Sequence, residues 1–156
     1  ASDVYKRQEK SYLCITVGRP KQPEGKIEGF LLKNEAKKEV RFFHKPVPGG
    51  KTAVTLYRTL ESRGGLSLVE CRLLTGRTHQ IRVSMAEIGC PLLGDGKYGK
   101  GDVNRRYHET RQALYSYKLR FEFTTPAGCL EYLNHREFSV ADMNSIWFVK
   151  KFHGSD

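Results

Sequence analysis

The sequence predicts an α+β domain built on a mixed, mainly antiparallel sheet with few helices. Three observations predict it. Short extended runs bounded by turn-forming residues recur along most of the chain. Helical spacing of apolar residues stands out at one place, after Gly76. Strands and helices do not alternate, as a parallel α/β chain would require.

Tyr12 to Val17 is rich in aromatic and β-branched residues and stops at Gly18 and Pro20. Lys26 to Lys33 and Lys38 to His44 follow, separated by the polar turn Asn34-Glu35-Ala36. Lys45-Pro46-Val47-Pro48-Gly49-Gly50 has turn chemistry. Lys51 to Leu60 and Leu66 to Leu74 read as a hairpin around Ser62-Arg63-Gly64-Gly65. Its second strand is apolar on both parities, with Leu66, Leu68 and Leu74 on one and Val69, Cys71 and Leu73 on the other, so it is expected to be covered on both faces. Ile81, Met85 and Ile88 then fall at i, i+4 and i+7, with Thr78 as expected N-cap and Gly89 as expected stop. Gly94 to Arg106 reads as a mobile, polar, Gly-rich loop. Leu114 to Phe123 and Cys129 to Leu133 read as a second hairpin across Thr124-Thr125-Pro126-Ala127-Gly128, and Ala141 to Val149 as a short helix capped by Ser139.

The 156 residues suffice for one core without disulfide or metal. Twenty-seven Lys and Arg against seventeen Asp and Glu give a net charge of +10. Such a domain is drawn to polyanions through counterion release. No basic amphipathic helix with a broad apolar face suggests an acidic membrane, so nucleic acid is the expected partner. Cys14, Cys71, Cys90 and Cys129 are far apart, without zinc spacing. They read as free thiols in a reducing compartment, the cytoplasm.

Leu74-Thr75-Gly76-Arg77-Thr78-His79-Gln80-Ile81-Arg82-Val83 is the most unusual segment. A strand ends, Gly76 permits a tight turn, and a helix begins whose first turn is expected to carry Arg77, His79 and Arg82. Cations there oppose the positive end of the helix dipole. The pattern points to a nearby anion, either a phosphate or a buried carboxylate; the alternative is that Arg77 and Arg82 simply point into solvent.

This segment, continued through Gly89-Cys90-Pro91-Leu92-Leu93-Gly94-Asp95-Gly96-Lys97-Tyr98-Gly99, resembles the pseudouridine synthases of the RluA family. Thr75, Gly76, Arg77, His79, Gln80, Ile81 and Arg82 match the family's TGRxHQIRxH stretch, with Ser84 in place of its last His. Gly89, Pro91, Gly94, Asp95, Tyr98 and Gly99 match the stretch after it, and Lys10-Ser11-Tyr12-Leu13 matches the family's K-x-Y strand. The resemblance covers roughly Glu9 to Phe123. It implies a pseudouridine synthase-like catalytic domain that isomerises uridine in structured RNA, ribosomal or transfer, without cofactor or metal. It also implies that Arg82 pairs with a nucleophilic aspartate and that Tyr12 packs on the flipped base. Both roles make physical sense: an Arg fork orients a carboxylate, and an aromatic face stacks bases. RNA contacts are expected at Arg77, His79, Gln80, Lys97, Lys100, Arg105 and Arg106.

The family's R-L-D-x-x-T-S-G-like nucleophile stretch has no match among Asp3, Asp95, Asp102, Asp142 and Asp156. Asp95 reads instead as a turn residue before Tyr98. The expectation is therefore an incomplete catalytic domain over residues 9–156, inactive alone, with Arg82 facing no carboxylate of this chain. Residues 1–8, whose Ser2 to Gln8 resemble a translated sequencing adapter, are expected to be a non-native tail. An incomplete sheet would leave an open edge for self-association. The alternative reading is a basic RNA-binding module without chemistry.

Overall fold

A computed structural model describes residues 8–122 and 128–154. Among these residues seven strands form one sheet: β1 (Gln8–Val17), β2 (Glu24–Asn34), β3 (Glu39–Phe43), β4 (Lys51–Arg63), β5 (Leu66–Leu73), β6 (Leu114–Phe121) and β7 (Glu137–Ser139). Their spatial order is β3-β2-β4-β5-β1-β6-β7, and every described ladder is antiparallel. Three helices accompany them: α1 (Gln80–Glu87), α2 (Gly101–Arg106) and α3 (Trp147–Phe152). The expected tail falls outside the described residues up to residue 7, whereas Gln8 opens β1 and pairs with Phe121. The strands at the two edges, β3 and β7, are short.

The predicted β4–β5 hairpin turns in two residues. Gly64 and Gly65 both take positive φ, 58° and 82°, as the tight turn matched to strand twist requires. Strand parity then divides the core into two layers. Leu13, Ile15 and Val17 of β1 join Leu66 and Leu68 of β5 under α3, where Phe148, Val149 and Phe152 pack. Cys14, Val69 and Cys71 face the other way and meet Ile81 and Met85 of α1. Each such fully buried Leu, Ile, Met or Phe contributes about 1.5–3 kcal/mol. The two-sided cover expected for β5 holds from Leu66 to Val69 and then gives out: Arg72 is exposed, and Leu74 just beyond the strand is 57% exposed.

Four local expectations are corrected. Cys129 to Leu133 is no strand, because Gly128–Leu133 winds into a 3₁₀ turn. The chain then reverses at His135, which takes φ 64°, and pairing with β6 starts there: His135 N–H donates to Phe121 O, and Phe121 N–H to Arg136 O. The strand partner is therefore β7, and the turn over Thr124 to Ala127 lies outside the described residues. The last helix is split. Asp142, not Ser139, caps a 3₁₀ turn at Met143–Ser145 by accepting from Asn144 N–H, and α3 follows. His79 rather than Thr78 is the N-cap of α1, although Gly89 does follow its end with φ 84°.

Gly94 to Arg106, read as a mobile loop, is anchored and contains α2. Asn104 of α2 accepts from Gly94 N–H at 2.7 Å and donates to Asp95 O at 3.1 Å. Asp95 and Asn104, two of the polar residues that suggested a loop, are buried and spent on internal hydrogen bonds. Gly94 takes φ 83°, and a Cβ there would sit 1.9 Å from Arg111 O. Only glycine fits this passage, which brings Asp95 beneath α1.

Candidate active site

Where β5 ends, two side chains set the entry into α1. Thr75 Oγ1 accepts from Val54 N–H at 2.9 Å and donates to Gln80 Oε1 at 2.8 Å. Gln80 Oε1 also accepts from Arg77 N–H at 2.9 Å. Its Nε2 donates to Val54 O at 3.0 Å and to Thr55 Oγ1 at 2.9 Å. Gln80 is 2% exposed, so the RNA contact expected of it is replaced by a scaffolding role: its amide has nothing left to offer a ligand. Gln80→Leu is expected to leave these partners unsatisfied and to cost about 2 kcal/mol, read as a lower urea midpoint at unchanged slope.

The anion implied by the cations at this helix start is a buried carboxylate. Arg82 Nε donates to Asp95 Oδ2, and Nη2 to Oδ1, both at 2.9 Å. Asp95 Oδ1 also accepts from Lys97 N–H at 2.9 Å and Tyr98 N–H at 3.0 Å. The turn role read for Asp95 is therefore present, but the expectation that Arg82 meets no carboxylate of this chain is corrected. The sequence reading placed Asp95 in a turn and did not connect it across thirteen residues to the fork that it fills. Burial pushes the Asp95 carboxyl up, but the Arg82 fork and the two N–H groups outweigh it and hold it below the usual value.

Arg82 keeps a free edge, since two of the five guanidinium N–H groups serve Asp95. Arg82 also lines an open cleft of about 340 Å³, together with Tyr12, Leu73, Arg77, His79 and Leu114. Tyr12 stands on β1 opposite Cys71 and Ser116, on the sheet face that α1 covers. Tyr12 and Arg82 thus share one cleft. Arg77 Nε donates to Thr52 O at 2.8 Å. A larger concavity of about 710 Å³ lies elsewhere on the sheet, but its charges are largely paired, Arg58 with Glu70 at 3.3 Å and Lys118 with Glu70 at 3.9 Å.

His79 joins the cleft from the left-handed region, φ 56° and ψ 22°. Its Nδ1 lies 2.8 Å from Tyr98 Oη, and the two rings pack edge to face at 5.6 Å. Burial, helped by the Arg82 and Lys97 charges, lowers its pKa, so the ring is neutral near pH 7. The other expected RNA contacts do not line the cleft. Lys97 Nζ donates to Lys38 O at 2.6 Å. Lys100 caps α2, which carries Arg105 and Arg106, while Val103 and the following Tyr107 pack into the core layer of α3. Tyr98, Leu73, Gln112 and Leu114 are site residues to which the sequence reading gave no role. The match of Tyr98 to the Gly-Asp-x-x-Tyr-Gly pattern was the available signal. Among the described residues no three His, Cys, Asp or Glu side chains converge as a metal site needs, and no helix is long and apolar enough to cross a membrane.

This sheet, with an aromatic and two arginines around a cleft at a helix start, has the α+β fold of RNA pseudouridylate synthase domains. Human RNA pseudouridylate synthase domain containing 1 superposes with a TM-score of 0.64 at 23% identity, over 97% of this chain and 68% of that one. The family model described as RNA pseudouridylate synthase matches residues 4–87. The chain belongs to that family. It is 38% identical over 117 residues to the uncharacterized RNA pseudouridine synthase YhcT of Bacillus subtilis, covering 74% of this chain and 36% of YhcT. It is 36% identical over 117 residues to ribosomal large subunit pseudouridine synthase D of Borreliella burgdorferi, covering 75% and 35%. The chain thus spans little more than a third of the length of these curated relatives.

Proposed function

We propose that the protein carrying this chain is an RNA pseudouridine synthase, and that this chain supplies the base platform and the orienting arginine. The observation that carries the reading is the shared cleft of Tyr12 and Arg82. In the reaction the N1–C1′ bond of uridine breaks, the base turns, and C5 bonds to C1′, so the base must leave its stack. Tyr12 offers the freed base a stacking face. The free edge of Arg82 can hold an attacking carboxylate ionised and aimed.

Asp95 is not that nucleophile in our reading: it is 1% exposed and both its oxygens are engaged. The attacking carboxylate is assigned to a part of the protein outside the described residues. Ribosomal RNA is the first substrate to test, since several relatives are named ribosomal large subunit pseudouridine synthases, and transfer RNA the second. The buried free thiols of Cys14, Cys71 and Cys90 fit a reducing, cytoplasmic setting.

The test measures tritium release from uridine-labelled ribosomal RNA. It compares this chain with a version extended upstream by a family-type nucleophile segment. Activity in the extended form alone supports the reading. Activity in the short chain overturns the assignment of the nucleophile. Binding without activity in either form favours the RNA-binding module. In the active form Tyr12→Ala is expected to lose ten- to a hundredfold in kcat/KM, about 1–3 kcal/mol of stacking.

A further inference from the structure

Tyr98 touches both halves of the cleft wall. Its backbone N–H binds Asp95, its ring lies 5.1 Å from the Arg82 guanidinium, and its hydroxyl reaches His79. The same hydroxyl oxygen accepts from Val40 N–H of β3 at 2.9 Å. A backbone N–H can only donate, so the Tyr98 oxygen is the acceptor there and its own hydrogen is free to be given elsewhere. Among the described residues, His79 Nδ1 at 2.8 Å is the acceptor that the structure offers that hydrogen. An Nδ1 that accepts leaves the proton of a neutral imidazole on Nε2.

We propose that Tyr98 is a positioning residue that locks His79 in its Nε2–H tautomer, so that His79 presents a neutral N–H donor to a phosphate oxygen of the RNA bound in the cleft. The choice of acceptor follows from the neighbours. Arg77 lines the same cleft and offers only donors, so an anionic oxygen satisfies Arg77 and His79 together. The left-handed backbone of His79 is strain accepted at the start of α1, and the 2.2 Å approach of a hypothetical Gly99 Cβ to Asp95 O shows how tightly the turn carrying Tyr98 is wound. The phosphate part of the proposal rests on the reading of this protein as an RNA enzyme, whereas the tautomer part does not.

The tautomer is read directly. Long-range ¹⁵N–¹H correlation spectra of the imidazole, taken well above its pKa, are expected to show protonated Nε2 and bare Nδ1 in the unmodified chain. They are expected to show a mixture of tautomers in Tyr98→Phe. Protonated Nδ1 in the unmodified chain, or no change in Tyr98→Phe, overturns the lock. The RNA part uses binding of a uridine-containing hairpin. His79→Gln keeps an N–H near the Nε2 position, and His79→Asn places one near Nδ1. Asparagine tolerates the left-handed region better than glutamine, so a backbone effect alone would favour His79→Asn.

The expected result is the opposite order: His79→Gln within about threefold of the unmodified affinity, and His79→Asn weaker by about tenfold. A neutral donor releases no counterion, so the salt slope of His79→Asn should stay unchanged, while that of Arg77→Ala should fall by about 0.7 to 0.9. The reverse affinity order, or a reduced slope for His79→Asn, overturns the donor role. If the unmodified chain binds no RNA, the reading as an RNA enzyme fails and the donor role with it, while the spectra still decide the lock.

Discussion

Asp95→Ala is expected to destabilise the chain by about 3–5 kcal/mol, the cost of removing one partner from a buried ion pair. The carboxylate is 1% exposed and the Arg82 side chain 14% exposed, so the guanidinium that remains has little water to turn to. Two backbone N–H groups, of Lys97 and Tyr98, lose their acceptor in the same step. A fall in melting temperature of roughly 10 °C follows from the scaling for domains of this size, and calorimetry checks it. A drop below about 1 kcal/mol, within the range of exposed pairs, would show that the pair is not structural. Removing both charges, as in Arg82→Met with Asp95→Leu, is expected to cost less than Asp95→Ala alone, because no buried charge is stranded.

The pair also sets an acid limit. The folded carboxyl has a depressed pKa, so its contribution to stability is complete above the unfolded value near ~4 and is lost as pH falls through the folded value. Unfolding free energy followed downward from pH ~6 should therefore decline below pH ~4 in the unmodified chain. The decline should be shallower in Asp95→Ala.

On the proposed function, Arg82→Lys is expected to lower kcat of the active form by about 10²–10³-fold, the usual loss when a preorganised charged donor is removed. Lysine keeps the charge but is a point donor. It cannot span both Asp95 oxygens at 2.9 Å and still present a fixed edge to a second carboxylate. RNA affinity, which depends on charge, should change less than about threefold. Steady-state kinetics with a melting-temperature control separate the outcomes. A raised KM with unchanged kcat would make Arg82 a phosphate contact instead.

Much of this arrangement is legible in the chain. Alternation and turn residues located the first five strands to within a few residues, and Gly64-Gly65 announced its hairpin. The Thr75 to Arg82 segment marked the site, and its cations pointed to an anion that the structure identifies as Asp95. Legibility failed where short-range signals compete. Cys129 to Leu133 is apolar enough for a strand, but the register of β6 selects the residues after the His135 reversal. The polar Gly94 to Arg106 segment looks like a solvated loop until Asn104 and Asp95 are seen to face inward.

The sequence by itself determined the α+β class, the family and the basic character, which rest on period, turn chemistry, composition and contiguous motifs that the chain carries locally. That a strand tyrosine stands near a helix arginine was an expectation of the family resemblance. Only the tertiary structure decided that Asp95 is the partner of Arg82, that Gln80 is scaffold rather than RNA contact, and that Tyr98 joins β3 to His79. Those outcomes depend on which polar groups are removed from water together. That is settled by the packing of α1 and the Gly94 to Gly99 turn against the sheet, because a buried donor or acceptor must find its partner wherever the fold places one.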